Sequence, residues 1–235
     1  VWEDSMVMRT EYIGDCILYL ADCKDVIPKL GHFDALVTDP PYGLGEGGKM
    51  GNPKRRSKLA NADKYAEFSW DDERDDAAVA AAQQITDHHV IWGGNYYDLG
   101  PCRGYLVWNK LNSGDFADCE LAWTNLNQAV RKVDLLWNGM IRAEKHIERV
   151  HPTQKPVGVM QFCINQLPTV AHTIFDPFMG SGTTGVACVQ ADKAFVGIER
   201  EAAYFDMACQ RIEDALNQPQ LFANAKHEPV QETLI

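Results

Sequence analysis

An apolar run, Phe33-Asp34-Ala35-Leu36-Val37-Thr38, stops at Asp39-Pro40-Pro41-Tyr42 and Gly43, and this junction constrains the fold more than any other segment. Proline has no N–H to give a β-ladder and fixes its own φ, so two in succession end a strand and stiffen the turn beyond it. The segment reads as a buried strand whose open end is a rigid turn carrying a carboxylate and an aromatic ring. A second junction of this kind lies downstream, where Thr173-Ile174-Phe175 runs into Asp176-Pro177-Phe178-Met179-Gly180-Ser181-Gly182-Thr183-Thr184.

The rest of the chain supplies an alternation of strands and helices. Strands are expected at 17–21, 33–38, 89–92, 104–108, 120–123, 173–175 and 194–198, with a further one at 133–137. Helices are expected at 24–30, 75–86, 156–167, 184–191 and 202–216. Such alternation predicts an α/β fold, a doubly wound and mostly parallel sheet covered on both faces. At 235 residues the chain suits one such domain, over 1–216, with no internal repeat or linker to divide it. Residues 43–64 are rich in Gly, Lys, Arg and Asn and read as a mobile basic loop; 125–150 is a second insertion. The polar, proline-bearing stretch 217–235 reads as a flexible tail.

The net charge of −11 is awkward for a partner of nucleic acid, whose phosphates are neutralised by Lys and Arg. Basic residues must then be concentrated locally. Lys49, Lys54, Arg55, Arg56, Lys58 and Lys64 form one such group, and Arg131, Lys132, Arg142, Lys145 and Arg149 a second. Either is also what a solvated face looks like. The seven cysteines include no C-x-x-C pair, so neither a zinc site nor a disulfide framework is expected, and reduced thiols in a cytoplasmic protein are. No apolar stretch approaches membrane-span length, and no leader is expected at the start.

The downstream glycine loop has no Lys after its last Gly, so it is not a P-loop, and its spacing is not G-x-G-x-x-G. Glycines let a backbone approach a ligand closely, and a helix start offers free amides. Glu199 ends the following strand, near the spacing at which an acid holds ribose hydroxyls. A ligand with a free ribose and no phosphate suits this pair. Upstream, Lys155 and Thr153 of His151-Pro152-Thr153-Gln154-Lys155-Pro156 can hold a carboxylate. At the first junction, Asp39 can accept one hydrogen of an amino group and the Pro40 carbonyl the other. Pro41 keeps the turn rigid, and Tyr42 offers a stacking face.

The tetrapeptide 39–42, the hexapeptide 151–156 and the loop 176–184 together resemble those of the amino-group DNA methyltransferases. Their order, catalytic motif first, is that of the permuted beta class, and Asp as the first residue is the form found mostly in N6-adenine members. The resemblance spans roughly 12–216. It implies a Rossmann-like class I methyltransferase fold with circularly permuted motif order and S-adenosyl-L-methionine as cofactor. It implies that Asp176, Pro177, Phe178, Gly180, Ser181, Gly182, Thr183 and Thr184 wrap the methionine part. Glu199 then holds the ribose, Asp22 and Cys23 the adenine ring, and Thr153 and Lys155 the carboxylate. The implied substrate is double-stranded DNA with a flipped base, as in restriction–modification, with Lys49, Lys54, Arg55, Arg56 and Lys58 on the DNA, a homodimer, and no metal.

The interval between Trp123 and His151, which the family uses for target recognition, is short here. Readout then falls to the 43–64 loop or to a second subunit, or is weak. Asn95-Tyr96-Tyr97 after Gly93-Gly94 is placed to border the base pocket, while Trp92, Trp108 and Trp137 read as packing. Two readings stay open beside adenine N6: methylation of cytosine N4, and a non-catalytic subunit that binds cofactor or nucleic acid.

Overall fold

The computed structural model describes residues 9–44, 74–111, 117–138, 141–142 and 155–218. The chain enters through a hairpin of β1 (Arg9–Ile13) and β2 (Cys16–Leu20), closed at Gly14 with φ 56°. A Gly-Asp pair is a standard two-residue hairpin turn, and it gives β1, a strand that side-chain periodicity does not announce. Asp22 then caps α1 (Cys23–Val26), accepting from Lys24 N at 2.9 Å. Pro28 breaks the expected longer helix here and leaves one 3-10 turn, Ile27–Lys29. β3 (Phe33–Thr38) follows. α2 (Asp76–Gln84), capped by Asp75, leads into β4 (Thr86–Trp92), which starts earlier than expected.

β5 (Tyr105–Asn109) and β6 (Cys119–Thr124) form a second antiparallel pair. β7 (Arg131–Asp134) lies earlier than the strand expected at 133–137, and β8 (Trp137–Asn138) pairs separately with β9 (Ile141–Arg142). Leu135, between them, gives its carbonyl to Trp108 Nε1 at 3.0 Å, while its own N–H still donates to Asn109 O at 3.1 Å. The last part is regular: α3 (Val157–Gln166), β10 (Thr173–Asp176), α4 (Thr183–Gln190), β11 (Ala194–Glu199) and α5 (Ala202–Asn217).

The main sheet among the described residues has nine strands in the order β1-β2-β11-β10-β3-β4-β6-β5-β7. The centre, β2-β11-β10-β3-β4, is parallel, and the β1–β2, β4–β6 and β5–β6 pairings are antiparallel. β7, within the expected insertion 125–150, is a parallel edge strand of this sheet. Alternation along the strands feeds two cores. Ala35, Val37, Val90 and Trp92 point toward α3, α4 and α5, while Leu36, Ile91, Phe175 and Ile198 meet α1 and α2. Full burial of each such aliphatic or aromatic side chain is worth roughly 1.5–3 kcal/mol.

The connections from β10 run through α4 toward β11, and those from β3 run the other way to β4. The sheet order therefore reverses between β10 and β3. In open α/β sheets that reversal leaves a crevice at the carboxyl ends of the two strands. Both junctions singled out in the sequence sit at this place.

Candidate active site

At the end of β3 the proline turn presents Asp39 with its side chain 23% exposed. Two groups converge on its Oδ1: the Tyr42 hydroxyl donates at 2.6 Å, and Lys155 Nζ forms an ion pair at 2.6 Å. Among the described residues no donor reaches Oδ2. Lys155, just ahead of α3, also donates to the Tyr42 hydroxyl at 3.1 Å and lies 3.1 Å from Glu120 Oε2. That last contact is ionic, without hydrogen-bond alignment. Glu120 in turn pairs with Lys110. The ammonium of Lys155 also faces the Trp92 ring, 5.2 Å from its centroid.

These contacts set the protonation states. Burial drives the Asp39 carboxyl upward, with Lys155 opposing it and the Glu120 charge adding to it. Burial likewise raises the Tyr42 phenol well above its usual range, and Asp39 reinforces this. Burial also acts to raise Glu120, but Lys155 and Lys110 outweigh it and hold the group down at about 2. Lys155 is raised although burial lowers it, because Asp39 and Glu120 both favour its charge.

Tyr42 is seated by its neighbours. Its ring stacks on Tyr96 with centroids 5.0 Å apart. Tyr97 donates its hydroxyl to the Pro41 carbonyl. Gly93, at φ 64°, lies so close that a Cβ there would stand 2.1 Å from Tyr42 Cε1. Tyr96 and Tyr97 therefore border the proline turn.

The second junction is joined to the first by a buried hydrogen bond. Thr38 Oγ1, on the last residue of β3, donates to Asp176 Oδ1 at 2.7 Å. Asp176 is used inwardly. It also accepts from Phe178 N at 3.1 Å and, on Oδ2, from Thr184 Oγ1 at 2.7 Å. Burial lifts it to about 6 against these three donors. Asp176 and Thr184 thus tie the glycine loop to the sheet, a use the motif alone does not reveal. Lys155 departs in the same way, since its ammonium sits on Asp39 and Glu120.

Beyond Asp176, Pro177 and Met179 are buried and Phe178 is half-buried. Gly180 has φ 52° and open space on the side a Cβ would occupy, whereas a Cβ on Gly182 would meet Ala208 of α5 at 2.8 Å. Arg211, also on α5, donates to Ser181 Oγ at 2.8 Å, to Thr183 Oγ1 at 3.2 Å, and to the Ser181 carbonyl. At the neighbouring strand end Glu199 accepts from Glu201 N at 2.8 Å, and burial raises it to about 7. Ala21 N donates to the Glu199 carbonyl at 3.0 Å, which brings Asp22 and Cys23 to the same rim. Cys23 is buried, and its thiol is pushed up to about 12 by burial.

Thr153, Lys49, Lys54, Arg55, Arg56 and Lys58 lie outside the described residues, as do Lys64, Lys145, Arg149 and His151. Of the second basic group, Arg131 and Lys132 are exposed on β7, with Lys132 paired to Asp134 at 3.0 Å. Among the described residues no cluster of His, Cys, Asp and Glu is arranged to hold a metal, and no helix is long and apolar enough to cross a membrane. Glu120, Lys110 and Arg211 escaped the sequence reading. The one available signal was a charge, Glu120, opening an otherwise apolar strand.

Residues 107–210 match the model of a family described as DNA methylase, named for N6 and N4 targets. Type II methyltransferase M2.MboI of Moraxella bovis is 23% identical over 86% of this chain and 87% of its own. Type II methyltransferase M2.DpnII of Streptococcus pneumoniae is 26% identical over 77% and 82%. Among solved structures, the M1.HpyAVI-SAM complex has TM-score 0.53 and 21% identity, covering 83% of this chain and 98% of that one. PvuII DNA methyltransferase (cytosine-N4-specific) has TM-score 0.55 and 14% identity, covering 87% and 92%. The solved structures share the fold: a large, mostly parallel sheet clad in helices. The segment 107–210 is thus similar to the N6/N4 DNA methylases, and most of the chain's length is similar to type II methyltransferases.

Proposed function

We propose that this chain transfers a methyl group from S-adenosylmethionine to the exocyclic N6 of adenine in double-stranded DNA, as the modifying arm of a restriction–modification pair. The observation that carries the reading is the adjacency of the two junctions. Asp39, one of whose oxygens no donor among the described residues reaches, and the glycine loop stand at the ends of neighbouring parallel strands, locked by the Thr38–Asp176 hydrogen bond.

The residues at the second junction fit the cofactor. Gly180 leaves open space where the loop turns, and the start of α4 offers amides beside it. Glu199 stands at the next strand end as an acceptor for ribose hydroxyls, with Asp22, just past the adjoining strand, for the adenine. When bound, S-adenosylmethionine supplies an electrophilic methyl group on a sulfonium. Arg211 holds the loop from behind through Ser181 and Thr183.

The chain's own part in the chemistry is positional. An exocyclic amine is a weak nucleophile because its lone pair is delocalised into the ring. Asp39 Oδ2 accepts one amine hydrogen and the Pro40 carbonyl the other, which favours a pyramidal nitrogen with its lone pair directed at the methyl. As the nitrogen becomes tetrahedral and cationic, the Asp39 carboxylate stabilises it and takes its surplus proton. Lys155 and Tyr42 steady that carboxylate through Oδ1. Tyr42, backed by Tyr96, gives the flipped base a stacking face. Catalysis of this type rests on orientation and fixed electrostatics, with no covalent intermediate. The exposed basic residues and a second subunit then serve to hold the duplex.

The test is transfer of labelled methyl to mixed-sequence duplex DNA, read by nucleoside mass spectrometry, with Asp39→Ala as the control. Label in N6-methyladenine, lost in the variant while cofactor binding persists, is the expected result. Label in N4-methylcytosine overturns the target and keeps the chemistry, an outcome with precedent in the cytosine-N4-specific PvuII enzyme that shares the fold. No label, with cofactor bound, overturns the catalytic reading in favour of a binding subunit.

A further inference from the structure

Lys155 is buried with an ammonium that three oxygens approach: Asp39 Oδ1, the Tyr42 hydroxyl and Glu120 Oε2. The first two belong to the proline turn. The third does not. Glu120 rides on β6, where it faces Trp108 across the β5–β6 ladder, and β6 is itself locked onto β4. Lys110, the residue after β5, pairs with Glu120 and is tied to the same ladder by its backbone N, which donates to Asp118 O at 3.0 Å. Four alternating charges thus run from the rigid sheet to the turn: Lys110, Glu120, Lys155, Asp39. Their sum is zero.

An ammonium is a compact point charge without the fork of a guanidinium, so nothing in it alone fixes which carboxylate oxygen it meets. Here the ammonium is shared. Glu120 pulls it from the sheet side, and it meets Asp39 through Oδ1. Oδ2, which no donor among the described residues reaches, is the oxygen the transfer reaction needs as an acceptor. We propose that Glu120, secured by Lys110, is a positioning residue: it holds Lys155 to one oxygen of Asp39 and so keeps Oδ2 turned to the substrate amine. The inference rests on the methyl-transfer reading and adds to it residues that no sequence motif names.

The competing description is an ion pair that only stabilises the fold. The two differ in the plateau rate of transfer. The groups that bear on its carboxyl are Lys155 and Cys163 from the α3 side, Glu120 from β6, Tyr42 from its own turn and Asp176 from β10. Of these, Glu120 is the acid that shares Lys155 with it, and its charge holds the Asp39 titration up. Without that charge, Lys155 belongs wholly to Asp39 and the titration falls. A pair that only stabilises the fold predicts the same fall from the loss of the Glu120 charge, but leaves the plateau rate of a folded variant unchanged.

The experiment compares the wild-type protein with the double variant Lys110→Met with Glu120→Gln, which removes one charge of each sign and keeps the buried set neutral. Two quantities are read against pH: the 13Cγ signal of Asp39, assigned by its loss in Asp39→Asn, and the single-turnover rate of methyl transfer with saturating cofactor and DNA. The expected result is an Asp39 titration displaced to lower pH, an acid limb of the rate profile displaced with it, and a plateau rate lower by about tenfold or more. Cofactor affinity should stay within about threefold, because Glu120 lies on the substrate side. An unchanged plateau rate, or an unmoved Asp39 titration, in a folded variant, with a wild type that transfers methyl, overturns this proposal alone. A wild type that transfers no methyl overturns the transfer reading and this proposal with it, whatever the titration does. Glu120→Asp, which keeps the charge and shortens its reach, should restore the wild-type titration in part.

Discussion

Lowering the pH from 8 to 6 should weaken S-adenosylmethionine binding, and Glu199 is the reason. Burial raises this carboxyl to about 7 in the ligand-free protein, with Glu201 adding to the rise and the amide of Glu201 opposing it. Ribose hydroxyls donate to the ionised form, so binding favours the carboxylate and lowers its pKa. The sign is therefore fixed. Affinity is fully present above the ligand-free pKa and is lost as pH falls through it. About ten-elevenths of the molecules carry the charge at pH 8 and about one-eleventh at pH 6, which makes a loss of about tenfold, or ~1.4 kcal/mol. Near pH 7, binding should release about half a proton, measurable by isothermal titration calorimetry in buffers of different ionisation enthalpy. Glu199→Gln should bind more weakly at pH 8 and show no slope. A wild-type affinity flat from pH 6 to 8, or a slope that persists in the variant, would refute the reasoning.

Other perturbations act through single contacts. Gly93→Ala forces a methyl group into the Tyr42 ring at a left-handed φ; the strain is about 1–2 kcal/mol, and the ring must leave Asp39. A lower melting temperature should therefore accompany a lower transfer rate, and an unchanged rate would show that Tyr42 does not act where it sits. Arg211→Ala removes the donors to Ser181 and Thr183 and should cost ~1–2 kcal/mol of stability. It should weaken cofactor binding more than it slows transfer at saturating cofactor, which calorimetry and single-turnover kinetics separate. Asp176→Asn concerns pH and stability. A carboxyl raised to about 6, above its unfolded value near 3.9, takes up protons on folding, so its contribution falls as pH rises from about 4 to 6 and is flat above. The variant should remove that slope in denaturant titrations and gain up to ~3 kcal/mol at neutral pH, provided Thr184 turns from donor to acceptor.

Much of this fold was legible because its strands announce where they stop. Thr38 before two prolines, Phe175 before Asp176-Pro177 and Ile198 before Glu199 mark the carboxyl ends of three central strands, and the structure sets them side by side. The elements that shifted did so for local reasons. Pro28 broke a helix, and the Gly14-Asp15 turn gave a strand with little apolar signal. Pattern reading weighs side-chain periodicity, and each of these depended on a single backbone or hydrogen-bonding choice.

The site was legible in its motifs and illegible in its wiring. Asp39, Tyr42, Lys155 and the glycine loop carry residue types whose chemistry can be named from the sequence. What they touch could not be. Lys155 reads as a cation for the cofactor's carboxylate, whereas in the structure it meets two carboxylates of the chain itself. That the carboxylates are Asp39 and Glu120 depends on α3 starting beneath the β3 turn and on β6 lying next to β4. Glu120 itself looks like an ordinary charge at the mouth of an apolar strand. It becomes meaningful only through pairings at sequence separations that no local pattern spans. The same holds for Arg211, which stands as one more polar residue on an amphipathic helix until α5 packs against the glycine loop and aims it at Ser181. Motifs therefore identify groups with the chemistry to meet a ligand. The residues that hold those groups in place come from the tertiary pairing of strands, and variants at Glu120 and Arg211 are where that distinction can be measured.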